Sequence, residues 1–213
     1  MSLNNWNNHY NRNKSKLLYP DENLVRLLAK SFTQSDNDKK IVADIGCGSG
    51  RHLNLLAHFG FTNIIGIDYA LNSLTLSKDM PHSLLLNTNN EKLCLKDNCI
   101  DAAICWGSLH YSNKNSFKKQ LSEVYRILKK DAVLFGTLRS SFDTFMQKGE
   151  QIEKGVWATS LNDIKGSVAS FYTQEELLQS FSCFSQFEYG IMERTLLGNM
   201  NEKISHWYYK AIK

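Results

Sequence analysis

Apolar positions along the chain follow two patterns: short unbroken runs, and longer stretches in which they recur every three or four residues. KIVADIG, NIIGID, HSLLLN, DAAICW and AVLFGTL are of the first kind and read as buried strands. Between them, Arg51 to Phe59, ALNSLTLSKDM and SFKKQLSEVYRILKK have helical spacing, with Gly60 placed to end the first of these helices. Parallel strands need crossover connections, so strands alternating with helices of about ten to fifteen residues predict an α/β fold. The sheet is expected to be mostly parallel and covered on both faces.

Before this cycle, PDENLVRLLAKSFTQ carries proline and acids at its start and apolar residues at Leu24, Leu27, Leu28 and Phe32, which predicts an amphipathic helix. After it, residues 140–172 lose the pattern in a mixed polar and aromatic stretch. A stretch of that length without regular structure is either a cover over a substrate or a surface excursion held down by its own aromatics. TQEELLQSF then has the Thr-x-x-Glu signature of a helix start, and FSQFEYGIMERTLL and EKISHWYYKAIK suggest an antiparallel strand pair closing the sheet.

At 213 residues the chain fits one domain better than two. Hydrophobic residues at 42% and charged residues at 22% are ordinary for a folded globular protein. A net charge of +4, spread along the chain, supplies no footprint for nucleic acid, so none is expected as a partner. No window approaches the roughly 18 apolar residues of a membrane span, and the Asn-rich start lacks the apolar core of a secretory signal, which predicts a cytoplasmic protein. Five cysteines without a CxxC pair favour buried thiols over a disulfide framework or a zinc site. The oligomeric state is not legible.

The chemistry concentrates at VADIGCGSGR, where a strand runs into Gly46, Gly48 and Gly50 and then into a helix. Bare backbone at a helix N-terminus admits a nucleotide-like ligand at close range. Arg51 stands where the third glycine of G-x-G-x-x-G would fall, which disfavours a nicotinamide dinucleotide, and no G-K-[ST] follows to make a Walker loop. Asp68, ending the second strand, is placed to accept from two ribose hydroxyls.

Taken together, VADIGCGSGRHL, GFTNIIGIDYALNSL, NNEKLCLKDNCIDAAICWGSLHY and SEVYRILKKDAVLFGTL resemble, in order and spacing, the motifs of class I S-adenosylmethionine-dependent methyltransferases, in detail over roughly residues 40–138. The resemblance implies a Rossmann-like sheet of seven strands with an antiparallel C-terminal pair, S-adenosylmethionine as cofactor and S-adenosylhomocysteine as product. It divides the single domain into an N-terminal helical cover (1–38), a cofactor-binding core (39–138), a substrate-side insertion (139–172) and a C-terminal helix with strands (173–213). By the same resemblance, the Gly46-Cys47-Gly48 backbone and Gly50 approach the methionine part of the cofactor, with Asp44 orienting it. Asp68 holds the ribose, Tyr69 flanks the adenine, and Trp106 and Ser108 shape the methionine pocket. Asn89 stands where the family usually has an Asp that accepts from the adenine amino group, with Asn90 offering its backbone N–H. An uncharged acceptor there implies binding weaker by about 1 kcal/mol. Trp6, His9, Tyr10 and Tyr19 lie in a segment that folds over the cofactor in similar enzymes, or else packs on the sheet edge.

Methyl transfer is an in-line displacement that gains from alignment, and a hydroxyl or protonated amine acceptor also needs a base. His110 is the first candidate for that base, with a packed histidine as the alternative, and Tyr111 is the second. Arg139 either binds an acidic substrate or is solvated, and Tyr172 is a candidate substrate contact from the insertion. The expected reaction is methylation of a small molecule on oxygen or nitrogen. The competing expectation is a cofactor-binding sensor or scaffold without transferase activity.

Overall fold

A computed structural model describes residues 3–12, 16–161 and 164–213. The frame is a sheet of five parallel strands, β1 (Ile41–Ile45), β2 (Asn63–Asp68), β3 (Ser83–Asn87), β4 (Ile100–Cys105) and β5 (Leu128–Ser140), in the order β3-β2-β1-β4-β5. Three further strands, β6 (Gly149–Glu153), β7 (Val156–Thr159) and β8 (Val168–Tyr172), follow β5. The last two, β9 (Gln186–Leu196) and β10 (Asn199–Ile212), form an antiparallel pair that joins the frame through β10 against β5. These seven frame strands match the expected sheet.

Period-two alternation explains the two layers of core. Ala43, Ile45, Ala103, Cys105 and Leu134 point to one face, where α5 (Lys114–Ile127) supplies Phe117, Leu121 and Val124 and α6 (Gln174–Ser180) supplies Leu177. Val42, Ala102, Ile104, Val133 and Phe135 point to the other, under α2 (Glu22–Ser31), α3 (Arg51–His58) and α4 (Leu71–Leu76). The helices start where side chains can satisfy their first N–H groups: Asp21 caps α2, Asn113 caps α5, and Thr173 with Glu176 forms a capping box on α6.

Two regions differ from expectation. Residues 140–172 are not an irregular excursion. Their strands β6, β7 and β8 form an antiparallel sheet, joined to β5 by the pairs Arg139↔Phe171 and Ser140↔Tyr172 and packed on Met146, Ile164, Ala169 and Phe171. Arg139 also pairs with His206 of β10, so β8 must occupy the β4 side of β5, beyond the end of β4. Within the expected helical cover, the apolar pattern predicts a helix only from Pro20. The Asn-rich start before it contains α1 (Leu3–Tyr10), held across the C-terminal ends of the strands by Asn72, whose amide donates to Asn7 O at 3.1 Å and Asn11 Oδ1 at 2.9 Å, and by Asn5, which donates to Lys165 O at 3.2 Å. No helix among the described residues is long and apolar enough to cross a membrane.

Candidate active site

The end of β1 and the end of β2 are stitched into one unit. Gly46 N and Cys47 N both donate to Ile67 O, at 2.7 and 3.0 Å. The Asp68 carboxylate accepts from Gly48 N at 3.0 Å and from Ala70 N at 2.9 Å. Gly46 and Gly48 have φ of 81° and 56°, and a Cβ at the first would collide with Ser108 while one at the second would lie 2.7 Å from the Tyr10 hydroxyl. Burial raises the Asp68 pKa from its ordinary value, although its two backbone donors pull the other way. Each oxygen keeps a lone pair for a further donor.

This unit opens onto a cavity of about 390 Å³, within the size range of small-molecule sites. Gly46, Asp68, Tyr69, Asn89 and Asn90 line one side. Trp6 and Tyr10 of α1 cover it, and Ser108 and Tyr111 of the β4–α5 connection lie beyond. The opposite wall comes from Ser116 and Gln120 of α5 and from Ile152, Glu153 and Val156 of the β6–β7 hairpin. The loop carrying Asn89 to Glu91 is tied to α5 downstream, where Arg126 donates to Leu93 O and Leu95 O at 3.0 and 2.8 Å. That tie spans Cys94 and Leu95. Further on, β5 runs continuously from Leu128 through Lys130-Asp131-Ala132, with Asp131 at a φ of 62°.

Several polar atoms at this site are buried without a hydrogen-bond partner: Asn90 Oδ1, Ser108 Oγ and both oxygens of Asp44. Asp44 is 1% exposed, with His52 Nδ1 at 3.6 Å. Two orphan acceptors at the cavity and a buried carboxylate at the end of β1 suit a ligand that brings N–H or O–H donors and positive charge, as a sulfonium amino acid joined to adenosine does. Asn89 Oδ1 already accepts one bond, from Glu91 N at 2.8 Å, whereas Asn90 Oδ1 accepts none.

The remaining expected site residues stand off the cavity wall. Cys47 turns its thiol into the core of the α3 face, so its backbone alone is at the loop. Trp106 has the strand parity of Ala102 and Ile104 and packs on the same face. Tyr19 is 83% exposed, and its carbonyl accepts from Arg51 Nη1 at 3.3 Å. Tyr172 packs against Phe117, the rings tilted with centroids 5.0 Å apart, and its carbonyl accepts from Trp207 Nε1 at 2.8 Å, which makes it core. Arg139 is neither solvated nor open to a substrate: it is buried, paired with Asp143 at 2.5 Å, with Nη2 at 3.4 Å from the Tyr111 hydroxyl. His110 is fully buried, with Nδ1 3.4 Å from Thr137 O and Nε2 unpartnered, so the packed-histidine alternative describes its place. Of the two candidate bases, Tyr111 alone lines the cavity. Sequence reasoning overlooked Gln120, Ile152 and Glu153; a Lys154-Gly155 turn between strand-like residues was the signal for the last two.

Burial, followed by the charges of Arg139 and Arg194, pushes the His206 pKa down to about 3, and burial lowers that of His110 as well. Below pH 6.5 the unfolded chain takes up protons that these folded histidines refuse, so their contribution is intact above the unfolded value and is lost as pH falls. Between pH 7 and 5, His206 is expected to account for about 2 kcal/mol of lost stability. Urea unfolding at both pH values checks this: His206→Asn should lose less than the wild type by that amount, and an equal loss would refute it.

A model of the methyltransferase domain matches residues 43–136. An uncharacterised protein of Methanocaldococcus jannaschii is 31% identical over 121 residues, 56% of this chain and 45% of that protein. The chain spans about half the length of the curated relatives it matches, 45% and 57%. Among solved structures, an S-adenosylmethionine-dependent methyltransferase of Methanosarcina mazei has a TM-score of 0.69 at 20% identity, covering 88% of this chain and 96% of that one. The 1,6-didemethyltoxoflavin-N1-methyltransferase of Burkholderia thailandensis, with bound S-adenosylhomocysteine, has a TM-score of 0.60 at 15% identity, covering 91% and 79%. Domain match, strand order and glycine-loop geometry agree: residues 43–136 match the methyltransferase domain, and the chain has the fold of S-adenosylmethionine-dependent methyltransferases.

Proposed function

We propose that the protein transfers the methyl group of S-adenosylmethionine to a small-molecule acceptor, leaving S-adenosylhomocysteine. The observation that carries this reading is the Asp68-to-glycine-loop unit, which opens onto a cavity whose far wall comes from a separate insertion. The bound donor supplies a methyl carbon made electrophilic by an adjacent sulfonium, so the protein's task is alignment and exclusion of water. Asp68 and Asn90 have acceptors free for the ribose and adenine ends, and the backbone at Gly46 and Gly48 permits close approach of the methionine end. Trp6 and Tyr10 close the cavity from above. Tyr111, its hydroxyl beside Arg139, is the residue in place to orient the acceptor. A cavity roofed by α1 and walled by a hairpin favours a compact acceptor over a polymer.

The test is thermal unfolding with S-adenosylmethionine, S-adenosylhomocysteine or NAD, followed by an assay for S-adenosylhomocysteine release. Saturation at about 100 times the dissociation constant should stabilise the fold by about 2.7 kcal/mol with the first two ligands and not with NAD. No stabilisation by either sulfur ligand would overturn the proposal.

A further inference from the structure

The charges around the cavity have one sign. Among the described residues that line it, Asp68, Glu91 and Glu153 are ionisable acids, and no lysine, arginine or histidine is present. Two of the acids have work already: Asp68 holds the glycine loop, and Glu91 lies 3.6 Å from Lys119 on the cofactor side. Glu153 has no hydrogen bond or ion pair from its side chain among the described residues. It sits on β6, outside the matched segment 43–136, in the part of the chain that the cofactor half of the fold does not require.

Three cations near this wall are engaged elsewhere: Lys114 pairs with Glu176, Lys148 with Glu202 at 2.6 Å, and Arg139 with Asp143. Lys154, next to Glu153 in the turn, is not among the residues that line the cavity. Around Glu153 the wall is apolar, built from Ile152, Val156 and Val168, with the rings of Trp6 and Tyr111 facing each other edge-on at 4.9 Å. A second feature points to a ligand with hydrogen-bonding groups. Gln120 is more than nine-tenths buried yet its amide has no hydrogen-bond partner among the described residues, and it lines the same cavity.

We infer that the acceptor is a basic amine on a compact apolar body, with Glu153 as the specificity-determining residue that holds its nitrogen end. The inference rests on the proposed methyl transfer at this cavity. An anionic acceptor would meet only acids here, whereas an ammonium gains a carboxylate and aromatic faces. The transfer balances without another reagent. The bound ammonium first gives one proton to water. The lone pair of the amine so formed makes the new N–C bond, the C–S bond breaks with its electrons going to sulfur, and positive charge passes from sulfonium to nitrogen, so that the product leaves as the methylated ammonium.

The experiment uses the full chain with S-adenosylmethionine and matched sets of phenylalkyl and alkyl amines, the corresponding alcohols and the corresponding carboxylates. Product formation is read as S-adenosylhomocysteine, and cofactor affinity is measured separately by calorimetry. Turnover confined to amines is expected, with KM raised at least tenfold in Glu153→Gln and cofactor affinity unchanged. Cofactor binding with turnover of carboxylates or alcohols in preference to amines, with no amine accepted, or with an unaltered KM in Glu153→Gln, would overturn this inference alone. Failure of the wild type to bind the cofactor would overturn the methyl-transfer reading with it.

Discussion

Arg139→Met should lower the free energy of unfolding by about 3–5 kcal/mol, because it leaves a fully buried carboxylate without its counter-charge. Asp143 has no exposed surface and organises the turn after β5: its oxygens accept from Met146 N at 2.8 Å and Ser205 N at 3.0 Å as well as from Arg139. Methionine keeps the volume of the arginine stem, so the loss reports charge rather than a cavity. Adding Asp143→Asn to Arg139→Met should recover part of the loss, since no ion is then left unpaired. Urea denaturation of the two variants is the check. A loss below about 1 kcal/mol in the single variant would mean that water reaches Asp143, as it does in exposed pairs.

Asp68→Ala should weaken S-adenosylmethionine binding by about two to four orders of magnitude, the equivalent of removing one or two hydrogen bonds to a charged acceptor. The substitution acts twice. It removes the acceptor for the ribose, and it releases Gly48 N and Ala70 N, so the loop is no longer held in its binding shape. Stability should fall as well, by about 1–3 kcal/mol, because both N–H groups lose a buried partner. Asp68→Asn keeps one good acceptor and should fall between. Calorimetric titration of the three proteins decides the matter, and wild-type affinity in Asp68→Ala would remove Asp68 from the cofactor site.

What was legible in the sequence was what depends on local pattern. Strands β1, β2, β4 and β5 are largely buried on both faces and appear as apolar runs, β3 at the sheet edge is an apolar run that stays half-exposed, and the glycine loop with Asp68 follows from residue types at fixed spacing. Strand β6 hid because all five of its residues are exposed and no face repeats. Helix α1 hid because it buries no residue fully and takes its support from Asn72 and Lys165, far along the chain. Side-chain direction was the other limit. Trp106 and Tyr172 lie next to the cavity in sequence terms, but strand parity and packing turn each into the core. The partner that buries Arg139 is only four residues on, yet nothing in a non-helical stretch announces that Asp143 will fold back onto it.

The attachment of the β6–β8 sheet has an evolutionary consequence. It meets the frame at two residue pairs on β5, while β10 and β4 hold the rest of that strand. Lengthening, shortening or recoding the hairpin therefore disturbs few of the hydrogen bonds that keep the frame together. Selection can rewrite one wall of the cavity while the donor side stays constant, so descendants of such a chain can change what they modify faster than they change how they fold.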